Sequence, residues 1–162
     1  MREREKPELS EEIVGVNPFV QALKIKVRTV ESGYVEAQDH KGVMVPKEVE
    51  LECDVSYKSY VSKELREIRV GLSYRALQMW EWIMQSIDSG TDVIWIDPKR
   101  YKRECAIKSE KTFRQAQNEL GRYGFITPCM GVRNSFFINP KYGFKGSRIR
   151  KYPGNLEFLS KE

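Results

Sequence analysis

From Phe19 onward, polar and apolar residues take turns: Leu23, Ile25 and Val27 against Lys24, Lys26 and Arg28. That period of two predicts a half-buried strand. Glu31-Ser32-Gly33 then reads as a turn into Tyr34-Val35-Glu36-Ala37, which predicts a hairpin. Val43-Met44-Val45 and Val49-Glu50-Leu51-Glu52-Cys53 predict two further short strands. A small N-terminal β module over residues 13–56 follows. Residues 1–12 are charged, with few apolar side chains, and read as a frayed tail.

The period changes after Lys58. Tyr60, Leu65 and Ile68 predict a short helix ending near Gly71. Ser73 is a natural N-cap, its side chain meeting an otherwise unpaired backbone N–H. The helix it opens carries Ala76, Leu77, Trp80, Ile83, Met84 and Ile87 on one stripe, with Tyr74, Gln78, Glu81 and Gln85 opposite, and stops at Asp88-Ser89-Gly90. Trp82 lies off the stripe, and is expected to pack on the N-terminal module or on a second subunit.

Val93-Ile94-Trp95-Ile96 predicts a strand closed by Asp97-Pro98. A short basic helix with Lys99, Arg100, Lys102 and Arg103 follows, then a turn at Ala106-Ile107-Lys108. Ser109 caps a third helix reaching Tyr123, with Gly124 to end it and Phe113, Ala116, Leu120 and Tyr123 inward. At 100° per residue, Lys111, Arg114, Gln115, Asn118 and Arg122 fall on the opposite face, flanked by Glu110 and Glu119. Arg and Lys match guanine O6/N7, and Gln and Asn match adenine N6/N7. The face therefore reads as a DNA recognition helix; a solvated face is the alternative.

Phe125-Ile126-Thr127 and Ser135-Phe136-Phe137-Ile138 then flank a seven-residue tip containing Gly131 and Arg133. Helix, strand, basic helix, recognition helix and hairpin is the order of a winged helix-turn-helix. The expected fold is α+β: a winged helix over residues 57–151, the small β module before it, and a tail at 152–162.

Charge sharpens this picture. The 162 residues have a net charge of +5, but residues 1–97 hold 13 Lys/Arg against 18 Asp/Glu. Residues 98–151 hold 14 Lys/Arg against only Glu104, Glu110 and Glu119. Such a segment attracts a polyanion, of which nucleic acid is the usual one for a folded module. A solvated face and a membrane-surface patch are the alternatives.

The remaining chemistry is sparse. Cys53, Cys105 and Cys129 form no C-x-x-C pair and read as small buried hydrophobes in a reducing compartment, while His40 sits in a polar turn. No phosphate-binding glycine loop, nucleophile elbow or zinc-protease motif occurs. No apolar run approaches the ~20 residues of a membrane span, and the charged N-terminus lacks a signal-peptide pattern. No catalytic residue, metal or cofactor is therefore expected, and a cytoplasmic location without membrane contact is.

Three stretches carry a family resemblance: Leu72-Ser73-Tyr74-Arg75-Ala76-Leu77; residues 105–126, from Cys105-Ala106-Ile107-Lys108 to Tyr123-Gly124-Phe125-Ile126; and Phe137-Ile138-Asn139-Pro140 followed by Phe144-Lys145-Gly146-Ser147-Arg148. The chain from Tyr57 to Arg150 resembles RepL-type plasmid replication proteins, and more loosely the winged-helix replication initiators of plasmids and phages. The last stretch is the most distinctive; Ser147 stands where the family commonly has Asp. The resemblance implies DNA binding rather than catalysis.

The residues expected at DNA are Lys99, Arg100, Lys102, Arg103, Ser109, Lys111, Thr112, Arg114, Gln115, Asn118, Arg122, Arg133, Lys145 and Arg148. Beyond Asn139-Pro140, which should end the last strand, Tyr142 and Phe144 are expected in the core and the cations at phosphates. The expected partners are double-stranded DNA at an origin or operator, host replication proteins in a bacterial cell, and a second copy as a homodimer. A transcriptional regulator is the nearest alternative. A structural or interaction protein of a mobile element or virion is the alternative of another class.

Overall fold

The computed structural model describes residues 4–28, 34–36, 44–46, 57–59 and 63–159. They form a mixed α+β fold, with six α-helices and a small antiparallel three-stranded sheet at its centre. His40, Cys53, Tyr60, the turn at 31–33 and the strand expected at 49–53 lie outside the described residues.

The central elements follow from local sequence. Helix α2 spans Lys63–Gly71 and α3 spans Tyr74–Ser86, where the Ser73 hydroxyl accepts from the Ala76 N–H at 3.2 Å. Strand β5 is Val93–Trp95, and the Asp97 carboxylate caps α4, Pro98–Glu104, by accepting from the Lys99 N–H. Pro98 suits the first helical position, where no N–H is needed. Ser109 caps α5, Glu110–Arg122, through the Thr112 N–H. Strands β6, Ile126–Pro128, and β7, Ser135–Ile138, complete the sheet in the order β5-β7-β6. Its register pairs Val93 with Phe137 and Thr127 with Phe137 from either side.

Every residue of β7 is buried, so both faces of the sheet need cover. Phe136 and Ile138 join Ile94, Ile126, Trp80, Phe113 and Leu120 in the main core. Phe137 and Val93 point the other way and pack with Val14 and Cys129, with Leu9 and Phe19 against them. The N-terminal segment supplies that second cover. Helix α1, Glu11–Val14, precedes a 3₁₀ turn at Pro18–Ala22. The buried Asn17 side chain donates to the Asp92 carboxylate at 3.0 Å and to the Ile138 carbonyl at 2.9 Å. Lys6 is ion-paired with Asp88.

These contacts correct the expected division of the chain. Residues 4–25 are not a frayed tail followed by a separate module, because Leu23 and Ile25 belong to the main core. Strand β1, Ile25–Arg28, does not form the expected hairpin with β2, Tyr34–Glu36. It pairs in parallel with β9, Leu156–Leu159, matching Ile25 to Leu156, while β2 pairs with β3, Met44–Pro46. Residues 152–159 are likewise no tail. Tyr152 is buried and its hydroxyl donates to Asp92 at 2.6 Å, and the Asn155 amide donates to the Val20 and Leu23 carbonyls. Among the described residues, Trp82 is received by α4 rather than by the N-terminal segment. It packs edge-on against Tyr101 of α4, with ring centroids 5.1 Å apart, and its indole N–H donates to Glu104 at 2.7 Å.

The stretch after β7 locks the core. Asn139 donates from its amide to the Gly124 carbonyl at 2.8 Å and from its backbone to the Phe125 carbonyl, tying the end of the sheet to the end of α5. Strand β8, Gly143–Lys145, pairs with β4, Tyr57–Ser59. Phe144 and Tyr142 are buried, as expected. Gly146, at φ 101°, presses against the Ser89-Gly90 turn so closely that a Cβ would sit 2.9 Å from the Ser89 Oγ. Ser147 caps α6, Arg148–Lys151, by accepting from the Arg150 N–H. Asp serves that position as well as Ser does.

Candidate nucleic-acid interface

The candidate site is built on α5. Its inward residues Phe113, Ala116 and Leu120 are each almost fully buried, which turns Lys111, Gln115, Asn118 and Arg122 outward, and all four are exposed. Two grooves run along this ridge. One, of about 520 Å³, lies against the start of α3 and is lined by Ser73, Arg75, Thr112, Gln115, Asn118, Glu119 and Arg122. The other, of about 630 Å³, lies against the β6–β7 loop and includes Arg114, Asn118, Arg133 and Asn134. Asn118 lines both and so stands on the crest.

Each of the three acids in residues 98–151 is held by an internal partner. The Glu104 carboxylate accepts from Arg100 Nε at 2.9 Å and from Trp82, contacts that hold its pKa below the usual carboxylate range. Glu110 accepts from Lys102 at 2.7 Å and from Arg114 at 3.1 Å, and Lys102 chiefly holds its pKa down. Glu119 accepts from the Ser73 backbone N–H and hydroxyl, at the positive end of α3. Glu104 and Glu110 each engage cations of the same segment in doing so, so its net charge stays as counted from the sequence.

The expected site residues divide into four groups. Thr112, Gln115, Asn118 and Arg122 share the first groove, Lys111 lies exposed on the same helix, and Arg133 is exposed on the β6–β7 loop. Ser109 serves as the α5 cap. On α4, Lys99 and Arg103 are exposed, while Arg100 and Lys102 are the ion-pair partners of Glu104 and Glu110, with Arg100 also 5.7 Å from the Trp82 ring centre.

Three further expected site residues have hydrogen-bond partners within the protein. Arg114 is half-buried: one guanidinium nitrogen donates to Gln117 at 3.1 Å and to Asn134 at 3.3 Å, and the group lies over Phe113. It braces the β6–β7 loop against α5. Lys145 reaches the Gln85 carbonyl at 3.3 Å, at the end of α3 remote from Ser73. Twelve residues of helix separate those ends, about 18 Å. Arg148 donates to the Pro140 carbonyl at 3.0 Å. Lys145 and Arg148 line neither groove.

Arg75 was not singled out by the sequence, yet it faces the first groove beside Gln115 and Arg122. The available signal was its place two residues after the Ser73 cap, in a helix that packs on α5. Among the described residues, no three His, Cys, Asp or Glu side chains gather as a metal site, and no helix is long and apolar enough to cross a membrane. Comparison with protein-family models, with curated proteins and with solved structures returns no match.

Proposed function

We propose that this chain is a sequence-specific double-stranded DNA-binding protein whose residues 57–151 act as a winged helix-turn-helix. In this reading α4 and α5 are the helix-turn-helix, α5 enters the major groove, and the β6–β7 loop is the wing. The observation that carries it is the α5 ridge. Lys111, Gln115, Asn118 and Arg122 stand exposed together while the neighbouring Glu110 and Glu119 are held by internal partners. Cations supply attraction to phosphate, and Gln and Asn supply paired donors and acceptors for base edges. The strand order β5-β7-β6 supports the winged form, since it sets the β6–β7 loop beside α5.

The resemblance to RepL-type proteins directs the reading toward initiation or control of plasmid or phage replication in a bacterial host. Selection of bound duplexes from a random pool tests it. The expected result is strong enrichment of one site, which the full chain then binds at least about a thousandfold better than scrambled duplex. A pool that returns no enriched site sinks the proposal.

A further inference from the structure

Tyr74 opens α3 with 72% of its surface exposed, and Val70, at the end of α2, is 88% exposed. Leu65, Met79 and Trp80 of the same two helices pack into the main core, so Tyr74 and Val70 are the apolar side chains turned away from it.

The Tyr74 ring has a cation beside it. The Arg75 guanidinium lies 5.8 Å from the ring centre and donates to the Gln78 side chain at 3.0 Å. Arg75 also lines the groove of about 520 Å³ between the start of α3 and α5, together with Arg122. Arg122 in turn lies 5.4 Å from the centre of the half-buried Tyr123 ring, whose hydroxyl would be 3.5 Å from a Cβ at Gly71. The turn from α2 to α3 is thereby held against the end of α5. In these contacts both guanidinium groups meet uncharged partners. Glu119, an acid in the groove wall, is turned to the Ser73 N–H and hydroxyl at the positive end of α3. The groove thus offers two guanidinium groups, with an exposed ring set between two of its lining residues, Ser73 and Arg75.

We infer that this groove binds single-stranded DNA, with Arg75 and Arg122 on its phosphates and an unpaired base stacked on Tyr74. The inference goes beyond duplex recognition, because it adds a second form of the polymer and uses Tyr74 and Arg75, which lie outside α5. A base can lie flat on a protein ring only when its own face is free, as it is in an unpaired strand. An exposed tyrosine beside a cationic groove suits such a strand, where stacking strengthens binding whatever the base. The charge argues against a second copy of the chain as occupant. A twofold contact through this face would set Arg75 and Arg122 against their own counterparts.

The experiment measures anisotropy of labelled oligothymidine, which cannot pair with itself, and of the selected duplex, each with the full chain. Wild type should bind the strand, and Tyr74→Ala should weaken that binding about 5- to 150-fold without changing duplex affinity. Tyr74→Phe, which keeps the ring, should bind the strand as wild type does. Arg75→Ala should lower the log–log salt slope for the strand by about 0.7. Photocrosslinking of an iodouracil oligonucleotide should place the adduct on Tyr74. A chain that binds its duplex but not oligothymidine would overturn the strand site and leave the duplex reading standing. Strand binding with no enriched duplex would do the reverse. Equal strand affinities of wild type and Tyr74→Ala would overturn the site, as would tighter binding of oligouridine than of oligothymidine. A smaller sedimentation coefficient for Tyr74→Ala without nucleic acid would make the face a contact between copies and overturn it too.

Discussion

Glu119, on α5, accepts hydrogen bonds from both the backbone N–H and the hydroxyl of Ser73, at 2.7 and 2.6 Å, across 46 residues of sequence. A carboxylate from one helix thus completes the cap of another. Replacing it leaves the first turn of α3 to water. Glu119→Ala should lower stability by about 1 kcal/mol, with Glu119→Gln losing less. Urea denaturation followed by tryptophan fluorescence measures both; equal stability of Glu119→Ala and wild type would show that this cap contributes nothing.

On the α5 ridge, exposure separates readers from braces. Gln115→Ala and Asn118→Ala should each weaken binding to the selected site by about 1–3 kcal/mol and broaden the selected motif at one position. Arg114→Ala should weaken selected and scrambled duplex alike. A double-mutant cycle with Asn134→Ala should give a coupling of about 0.5–3 kcal/mol in stability. A motif broadened by Arg114→Ala with no such coupling would make Arg114 a reader.

Binding should fall steeply with salt, because each neutralised phosphate releases counterion. Anisotropy titrations across a salt series should show Lys111→Ala and Arg133→Ala each reducing the log–log slope by about 1. Lys145→Ala should leave it unchanged, since that ammonium serves the end of α3. A reduced slope for Lys145→Ala would place the duplex on the opposite side of the molecule.

Both Glu104 and Glu110 have pKa values held below their ordinary 4.5 by cationic partners, Arg100 and Lys102 first. For a lowered carboxylate, the stabilisation is complete above the unfolded pKa and is lost as pH falls through the folded one. The two carboxylates should therefore stay charged, and their ion pairs persist, to lower pH than unpaired glutamates would. Carboxyl carbon chemical shifts followed against pH measure this. Lys102→Ala should move the Glu110 midpoint upward, and an unmoved midpoint would refute the assignment.

Burial pushes the Cys129 thiol up to about 11, with Asp92 adding to the effect. Little thiolate exists at pH 8, and the side chain is packed beneath the β6–β7 loop. With Cys53 and Cys105 replaced by Ser, a disulfide reagent should label the native chain at least about a hundredfold more slowly than the unfolded chain. Comparable rates would mean that the N-terminal segment does not cover the sheet.

The parts of this fold legible in the sequence are those whose causes are local. Ser73 and Ser109 cap the helices they precede, and the run Ser135–Ile138 is the strand expected. What was not legible depends on residues far apart. Alternation at Leu23 and Ile25 announces a strand but carries no information on its partner, here 131 positions away at Leu156. A helical projection puts Arg114 on the outer face without revealing that Asn134 stands within its reach. Trp82 is visibly off the stripe, yet only the return of α4 supplies Tyr101 and Glu104 to receive it. Positive charge past Asn139 suggested phosphate contacts, and the carbonyls of Gln85 and Pro140 claimed two of those cations.

The parallel pairing of β1 with β9 has a consequence for synthesis on the ribosome. Ile25 leaves the exit tunnel long before Leu156 has been translated. At about 5–20 residues per second, that strand waits roughly 7–26 s for its partner. During that wait Leu23 and Ile25 present an apolar, unpaired edge to water, and Tyr152 has yet to reach Asp92. The nascent chain is then a natural client for a chaperone that shields extended apolar segments. The β1–β9 step can follow only once residues 156–159 have emerged, even if the central sheet and helices assemble earlier.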